Sequence, residues 1–424
     1  MEDKTGAPGA PGASGASGAK PVPHASLVGW SIVAYGFLAV AISATARTLL
    51  SLAMPLWESE QGWPRSLVSA TGALTLLVMA VTAPAAGNFI DRFGPRKLLT
   101  AGLITLGLGL FLTTVSVAPW HLLISFGLIS GVGFGIVAVN VFFAAIAPYF
   151  DTQRGFAIAV VDSGTTVGPL ILVPVAAWFL KGFGWRIEFL VMAFSCMVMA
   201  PFAWKWLPAT SGNLPQSNVS KDGDLMHSLR TLIFSPIFNL LFWGFFLCGF
   251  TSSGVIETHF LPYAALCGFN GVTAAGAYGF LSGINLIGVL CAGWLADRMN
   301  RPLLLAGIYV IRSVSFILLI QVGNDLSLLY LFSAQFGLFD YATVPVVGSL
   351  VASHLGVRVM GLSMGLLGAG HSLGAAIGAV AGGFVFDAFR SYQGLWLMSF
   401  GMALLAALIS IFIPKSAAKE LRAA

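Results

Sequence analysis

A few side chains able to bind an ion or carry a proton stand inside long apolar runs of this sequence. Arg47 in "SATARTLLS", Arg312 in "YVIRSVSF", Asp162 in "AVVDSGTTVG" and Asp340 in "FGLFDYATVP" carry charge. His371, Asn140 and Asn285 are polar and lie inside such runs as well, and His259 lies near the outer end of its own. A charge near the centre of an apolar segment that crosses a bilayer costs about 2.5–3.5 kcal/mol on insertion scales, so it must face water or a partner. The guanidinium of Arg47 matches a carboxylate bidentately; the alternative is a structural partner for an acid elsewhere, or a reach to the outer surface. Asp162 and Asp340 are either proton carriers or permanent counter-ions of an arginine, with Arg312 the natural partner for Asp340. His259 and His371 can donate to an anion or relay a proton, or serve only as interhelical hydrogen bonds. Asn140 and Asn285 face the same choice, and Glu257, beside His259, reads as a solvated charge on the outer rim.

The composition says what must position these groups. The chain is 57% hydrophobic and 9% charged, with 50 Gly and 33 Phe, and its mean hydropathy is +0.89. Soluble domains are nearer 45–50% apolar and about 25% charged. Small residues in so apolar a background suit helices that pack closely in a membrane. The net charge of +5 is scattered over loops, which is no footprint for nucleic acid. Cys196, Cys248, Cys267 and Cys291 match neither a disulfide framework nor a metal site. No phosphate-binding Gly-x-x-x-x-Gly-Lys-Ser/Thr loop and no catalytic triad occurs, so neither an enzyme nor a resident cofactor is expected.

A bilayer core needs about 20 apolar helical residues. Runs of that length lie at roughly 27–56, 65–89, 97–118, 121–149, 155–181 and 184–207, then at 235–263, 271–295, 302–321, 326–351, 358–386 and 393–414. These make twelve spans in two sets of six. The expected organisation is a disordered tail (1–25), an N-terminal six-helix bundle (26–207), a polar linker (208–232), a C-terminal six-helix bundle (233–416) and a short tail (417–424). Most Lys and Arg residues fall on the side of both termini, and Arg65, Lys181, Arg186 and Arg390 on the other. Both termini are therefore cytoplasmic. On this count Arg47 lies about ten residues, roughly 15 Å, inside the outer end of span 1, and His371 lies roughly 20 Å deep in span 11.

Two bursts of charge occupy equivalent cytoplasmic loops. "GNFIDRFGPRK" between spans 2 and 3 contains Gly87, Asp91, Arg92 and Arg96; "GWLADRMNR" between spans 8 and 9 contains Gly293, Asp297 and Arg298. A carboxylate at a helix C-terminus is electrostatically awkward unless paired, so Asp91 should seek a cation or a helix N-terminus across the loop. A positive-inside signal would need the basic residues but not the repeated Gly-x-x-x-Asp-Arg. The repeat points to a gate that closes the cytoplasmic side in one conformation.

These loops resemble the signature of the major facilitator superfamily. "GTTVGPLILVP" in span 5 is similar to a second signature, in which Gly164 and Gly168 permit tight packing. "EQGWPRSLVSATGAL", "GFGWRIEFL", "THFLPYAALCGFNGVTAA" and "GHSLGAAIGAVAGG" resemble the bacterial branch related to the monocarboxylate transporters. The resemblance implies an all-α membrane protein of two six-helix bundles around a central cavity, working as a monomer in the bacterial inner membrane by alternating access. It implies proton-coupled uptake of a small organic anion, with Arg47, Asn140, His259, Asn285 and His371 as candidate contacts. Asp162 and Asp340 are the candidates for proton coupling. The chain departs from the pattern in span 8, which carries Asn285 where known monocarboxylate carriers have an Asp-Arg pair. It also lacks the span 4 arginine of many drug antiporters. Proton-coupled efflux of amphipathic compounds is the alternative reading.

Overall fold

The computed structural model describes residues 25–146, 149–150, 154–207, 229–356 and 359–415; side chains at several helical positions, among them Asp91, Arg92 and Asn140, and the surroundings of Gly87 lie outside that description. Apart from Ala25 the expected tails lie outside it, as does most of the linker, and residues 229–232, assigned to the linker from sequence, are helical.

Helices dominate because a chain crossing hydrocarbon must satisfy its backbone hydrogen bonds within each segment. Among the described residues, eleven helices are long and apolar enough to cross a membrane, and the longest, Phe156–Trp206, is two crossings. Span 1 is Ala25–Gln61. Spans 2 and 3 share the helical stretch Arg65–Thr114, broken at Gly94 with φ 77°. Spans 5 and 6 share Arg154–Trp206, broken at Gly184 with φ 81°. Positive φ is costly for a residue with a Cβ, so glycine is where each run can turn back. Span 4 runs from Pro119 to Ile146 in short pieces, including a wide-turned stretch Leu123–Ser130. The second half comprises span 7 (Pro236–Leu266), span 8 (Gly271–Ala296), span 9 (Arg301–Gln321), span 10 (Leu326–His354), span 11 (Met360–Phe389) and span 12 (Gln393–Ile411). The described residues thus contain the expected twelve crossings.

Two interruptions bear on function. Span 7 winds wide over Phe250–Ile256, immediately before Glu257, and such turns cluster at functional sites. Span 10 breaks between Asp340 and Thr343. Pro345 explains the break, since it has no N–H to give the carbonyl of Tyr341 and its ring crowds that turn. The Tyr341 carbonyl accepts instead from the N–H of Val344, at 3.0 Å, and the Tyr341 N–H donates to Asn285 Oδ1 of span 8, at 3.1 Å.

The halves meet mainly at their outer ends. A Cβ on Gly383 of span 11 would lie 2.6 Å from Ser66 Cα of span 2, so these backbones touch. Asp387 accepts from the backbone N–H groups of Arg65 (3.2 Å) and Ser66 (2.9 Å) at the start of span 2. Arg65 also bonds Glu58 (2.6 Å) and Tyr392 (3.0 Å), and its guanidinium lies 3.7 Å from the Phe386 ring centroid. Ser51 of span 1 donates to the Thr258 carbonyl of span 7 at 2.8 Å. The outer side is closed.

Candidate functional site

Below this closure a cavity of about 520 Å³ separates the halves. Its walls come from cytoplasmic segments of spans 5, 8, 10 and 11 and from the middle of spans 1 and 7, including Asp162, Leu290, Val344 and Gly368. With the seal on the outer side and the space on the cytoplasmic side, the molecule is inward-facing.

Arg47 stands at the deep end, and two small cavities also reach it, of about 30 and 20 Å³. Spaces of that size hold about one or two waters. Its Nη2 lies 3.1 Å from Glu257 Oε2, with side chains 29% and 15% exposed. The other carboxylate oxygen accepts from Ser253 (2.9 Å) and from the Tyr341 hydroxyl (2.9 Å). The wide turn of span 7 supplies Ser253, the helix that follows it begins with Glu257, and the break in span 10 supplies Tyr341. Glu257 is therefore a mid-membrane ion-pair partner rather than the rim charge expected from sequence.

A second ionic cluster lies wholly in the C-terminal half. Arg312 has no exposed surface; its Nη2 lies 3.6 Å from Asp340 Oδ1 and 3.2 Å from Thr251 Oγ1, and its Nη1 lies 3.0 Å from Cys248 Sγ. Asp340 is 4% exposed and borders the main cavity. The expected Arg312–Asp340 pair is present, holding spans 9, 10 and 7 together.

The remaining candidates separate cleanly. His371 lines the main cavity with its ring 4.9 Å from that of Phe245. Asp162 is exposed on the cavity wall of span 5. Asn285 borders the smallest cavity beside Arg47. His259 lies outside these linings, in the outer closure, with Nδ1 3.2 Å from Tyr392 Oη and Nε2 2.9 Å from the Ala379 carbonyl. On the cytoplasmic side Arg96 donates to the Leu207 carbonyl at the end of span 6 (2.8 Å). Arg298 folds back on its own helix, donating to the Trp294 carbonyl at 3.1 Å with its guanidinium 4.2 Å from the Trp294 ring. Gly293 has only Pro345 near its Cβ direction, at 3.9 Å, and Asp297 holds no ion pair among the described residues. Sequence reasoning missed Glu257 and Tyr341 as site residues; the intramembrane acid itself was the available signal.

Twelve crossings among the described residues, in two halves with a cavity between them sealed at one end, define a membrane carrier. The chain belongs to the Major Facilitator Superfamily, whose model matches residues 36–361 and 287–424. Its members are transporters, not enzymes. The chain is 26% identical over 406 residues to the Bacillus subtilis MFS-type transporter YcxA, covering 92% of this chain and 94% of that one. It is 26% identical over 404 residues to human monocarboxylate transporter 11 (92% and 83% covered). With rat monocarboxylate transporter 13 the identity is 24% over 359 residues (82% and 80% covered). The fold matches a bacterial homologue of the human lysosomal transporter Spinster, inward-facing and unoccupied, with TM-score 0.75, 15% identity and 94% and 100% coverage. It also matches inward-open XylE, the xylose transporter of E. coli, with TM-score 0.72, 17% identity and 93% and 99% coverage.

Proposed function

We propose that this chain is a secondary active transporter of the bacterial inner membrane that takes up a small organic anion, a monocarboxylate or similar acid, together with protons. The observation that carries the reading is Arg47, a partly exposed guanidinium at the deep end of the inter-half cavity, where three cavities meet. A planar fork of donors in a low-dielectric site favours a carboxylate over neutral solutes. The relatives named monocarboxylate transporters support the same class of cargo. In this reading Arg47 binds the anion; Asn285 and His371 line its surroundings, and hydroxyl-bearing residues such as Thr166 and Ser253 share the wall with apolar ones. Asn140 and His259 stay secondary candidates, and Asp162 and Asp340 remain candidates for proton coupling. Gly87, Asp91, Arg92 and Arg96, with Gly293, Asp297 and Arg298, close the cytoplasmic side when the halves rock to the outward-facing state.

The test is uptake by proteoliposomes under an imposed pH gradient, with radiolabelled acetate, pyruvate, benzoate and phenylacetate as probes, wild type beside Arg47→Ala. Wild type should concentrate at least one acid. Arg47→Ala should lose about tenfold or more of the uptake at low acid concentration, because a charge-assisted bond is worth about 1.5–3 kcal/mol. Accumulation untouched by the substitution would remove Arg47 from the binding site. One observation favours a second reading: Asp162 is exposed on the cavity wall and can attract a cation. Extrusion of cationic dyes, lost in Asp162→Asn and without any acid uptake, would establish that exporter instead.

A further inference from the structure

Among the described residues, Arg47–Glu257 is the ion pair that joins the two halves at mid-membrane; the other pair across the halves, Arg390–Glu58 (3.1 Å), sits at the outer surface. Arg312–Asp340 lies within one half, and the Arg312 guanidinium is committed to Thr251 and Cys248 as well. Breaking Arg312–Asp340 would release nothing between the halves. Asp162 forms no ion pair among the described residues.

Resting on the reading of this chain as an anion carrier, we infer that Glu257 is its proton carrier, and that the Glu257 carboxylate occupies on Arg47 the place the substrate carboxylate takes. The hydrogen bonds say how the exchange proceeds. Oε1 already accepts from Ser253 and Tyr341, whereas Oε2 faces only Arg47. A proton that reaches Glu257 through the small cavities it lines with Arg47 bonds to Oε2, and the Oε2···Arg47 pairing is replaced by pairing of Arg47 with the incoming carboxylate. The two hydroxyl bonds to Oε1 survive, so neutral Glu257 stays in place. The charged and titratable groups facing it are Arg47 of span 1, Tyr278 of span 8, Asp340 and Tyr341 of span 10 and His371 of span 11. Arg47 is the cation in contact, and it serves one carboxylate at a time.

The charge balance gives the coupling rule. The empty site holds one guanidinium and one carboxylate; the loaded site holds one guanidinium, one substrate carboxylate and a neutral Glu257. Both have the same net charge, so both can cross between inward- and outward-facing states without burying an uncompensated ion. A proton alone would leave Arg47 unpaired, and an anion alone would put two carboxylates on one guanidinium. Neither half-loaded state should rock. One proton therefore accompanies each monocarboxylate.

Full-length wild type, Glu257→Gln and Arg47→Ala in proteoliposomes decide this, using the same four labelled acids. Glu257→Gln should exchange the transported acid across the membrane by counterflow, yet fail to concentrate it, with the inside-to-outside ratio falling at least tenfold toward unity. Its acid binding should no longer change with pH. Arg47→Ala should do neither. Gradient-driven accumulation by Glu257→Gln would overturn the role of Glu257 while leaving the anion reading standing. A wild type that takes up none of the acids would overturn both. Should Glu257→Gln be inert in exchange too, infrared titration of the purified protein decides. A protonated-carboxyl band that the acid brings in at higher pH, and that the variant lacks, supports the role; the same band retained in the variant refutes it.

Discussion

Arg312 is tolerated with no surface exposed because its two Nη groups face Asp340, Thr251 and Cys248 and its plane lies near the Phe336 ring, 5.3 Å from the centroid, while its Nε makes no hydrogen bond among the described residues. Removing one partner of such a pair strands the other. Arg312→Ala should therefore cost about 3–5 kcal/mol, whereas Arg312→Met with Asp340→Leu should recover most of it, because two apolar groups of matching volume need no partner. Thermal unfolding of the purified variants reads this directly. A single variant that melts with the wild type, or a double no better than the single, would show that the pair carries no structural load. This pair was legible in the sequence, since Arg312 and Asp340 lie near mid-depth in consecutive spans. Arg47–Glu257 was not. Its partners are far apart in sequence and on different halves, and depth along a helix does not say which face looks inward. From sequence Glu257 reads as a rim charge on a span ending at 263, whereas span 7 continues to Leu266.

At the scale of elements, the glycines of span 5 were readable and the breaks were less so. A Cβ on Gly164 would lie 2.6 Å from the Phe37 carbonyl oxygen, and one on Gly168 would lie 2.6 Å from Ala41 Cα and O, so spans 1 and 5 meet backbone to backbone. Close approach of this kind substitutes dispersion for the hydrophobic force that lipid cannot supply. Gly168→Val should push span 5 off span 1 and shift Arg47 with it, costing about 1–3 kcal/mol by overpacking. The control is Gly365→Ala in span 11, where a Cβ meets nothing within 4 Å. It should leave melting and transport unchanged or raise stability slightly, by up to about 1 kcal/mol. Equal behaviour of the two variants would contradict the packing argument. The interruption of span 10 had its cause in plain view at Pro345. That Asn285 would accept from the Tyr341 N–H needed the neighbouring helix in place, which no local pattern reveals.

At the scale of the whole molecule, the inward-facing state is held by a closure that crosses the halves. Span 2 begins after Pro64 without a side-chain cap of its own. Its first N–H groups are met instead by Asp387 of the other half. A carboxylate at a helix N-terminus is favoured by both the free donors and the helix dipole. That cap exists only while the outer ends touch, so it is an energy term of one conformation and absent from the other. Each bond from a charged acceptor is worth about 1.5–3 kcal/mol, and about 1.4 kcal/mol is tenfold in population. Asp387→Ala should therefore shift the unliganded protein toward the outward-facing state by tenfold or more. The shift can be read by cysteine accessibility. Ser69→Cys, at a position with no exposed surface under Gly383, should react with an impermeant maleimide from outside only when the closure opens. Ser372→Cys, on the cavity wall, should lose reactivity from the cytoplasmic side in step. If Asp387→Ala leaves both labelling rates at the values of their parent variants, the cap contributes nothing to the conformational balance. The closure would then rest on the backbone contact of Gly383 with span 2 and on Arg65 with its aromatic and acidic partners.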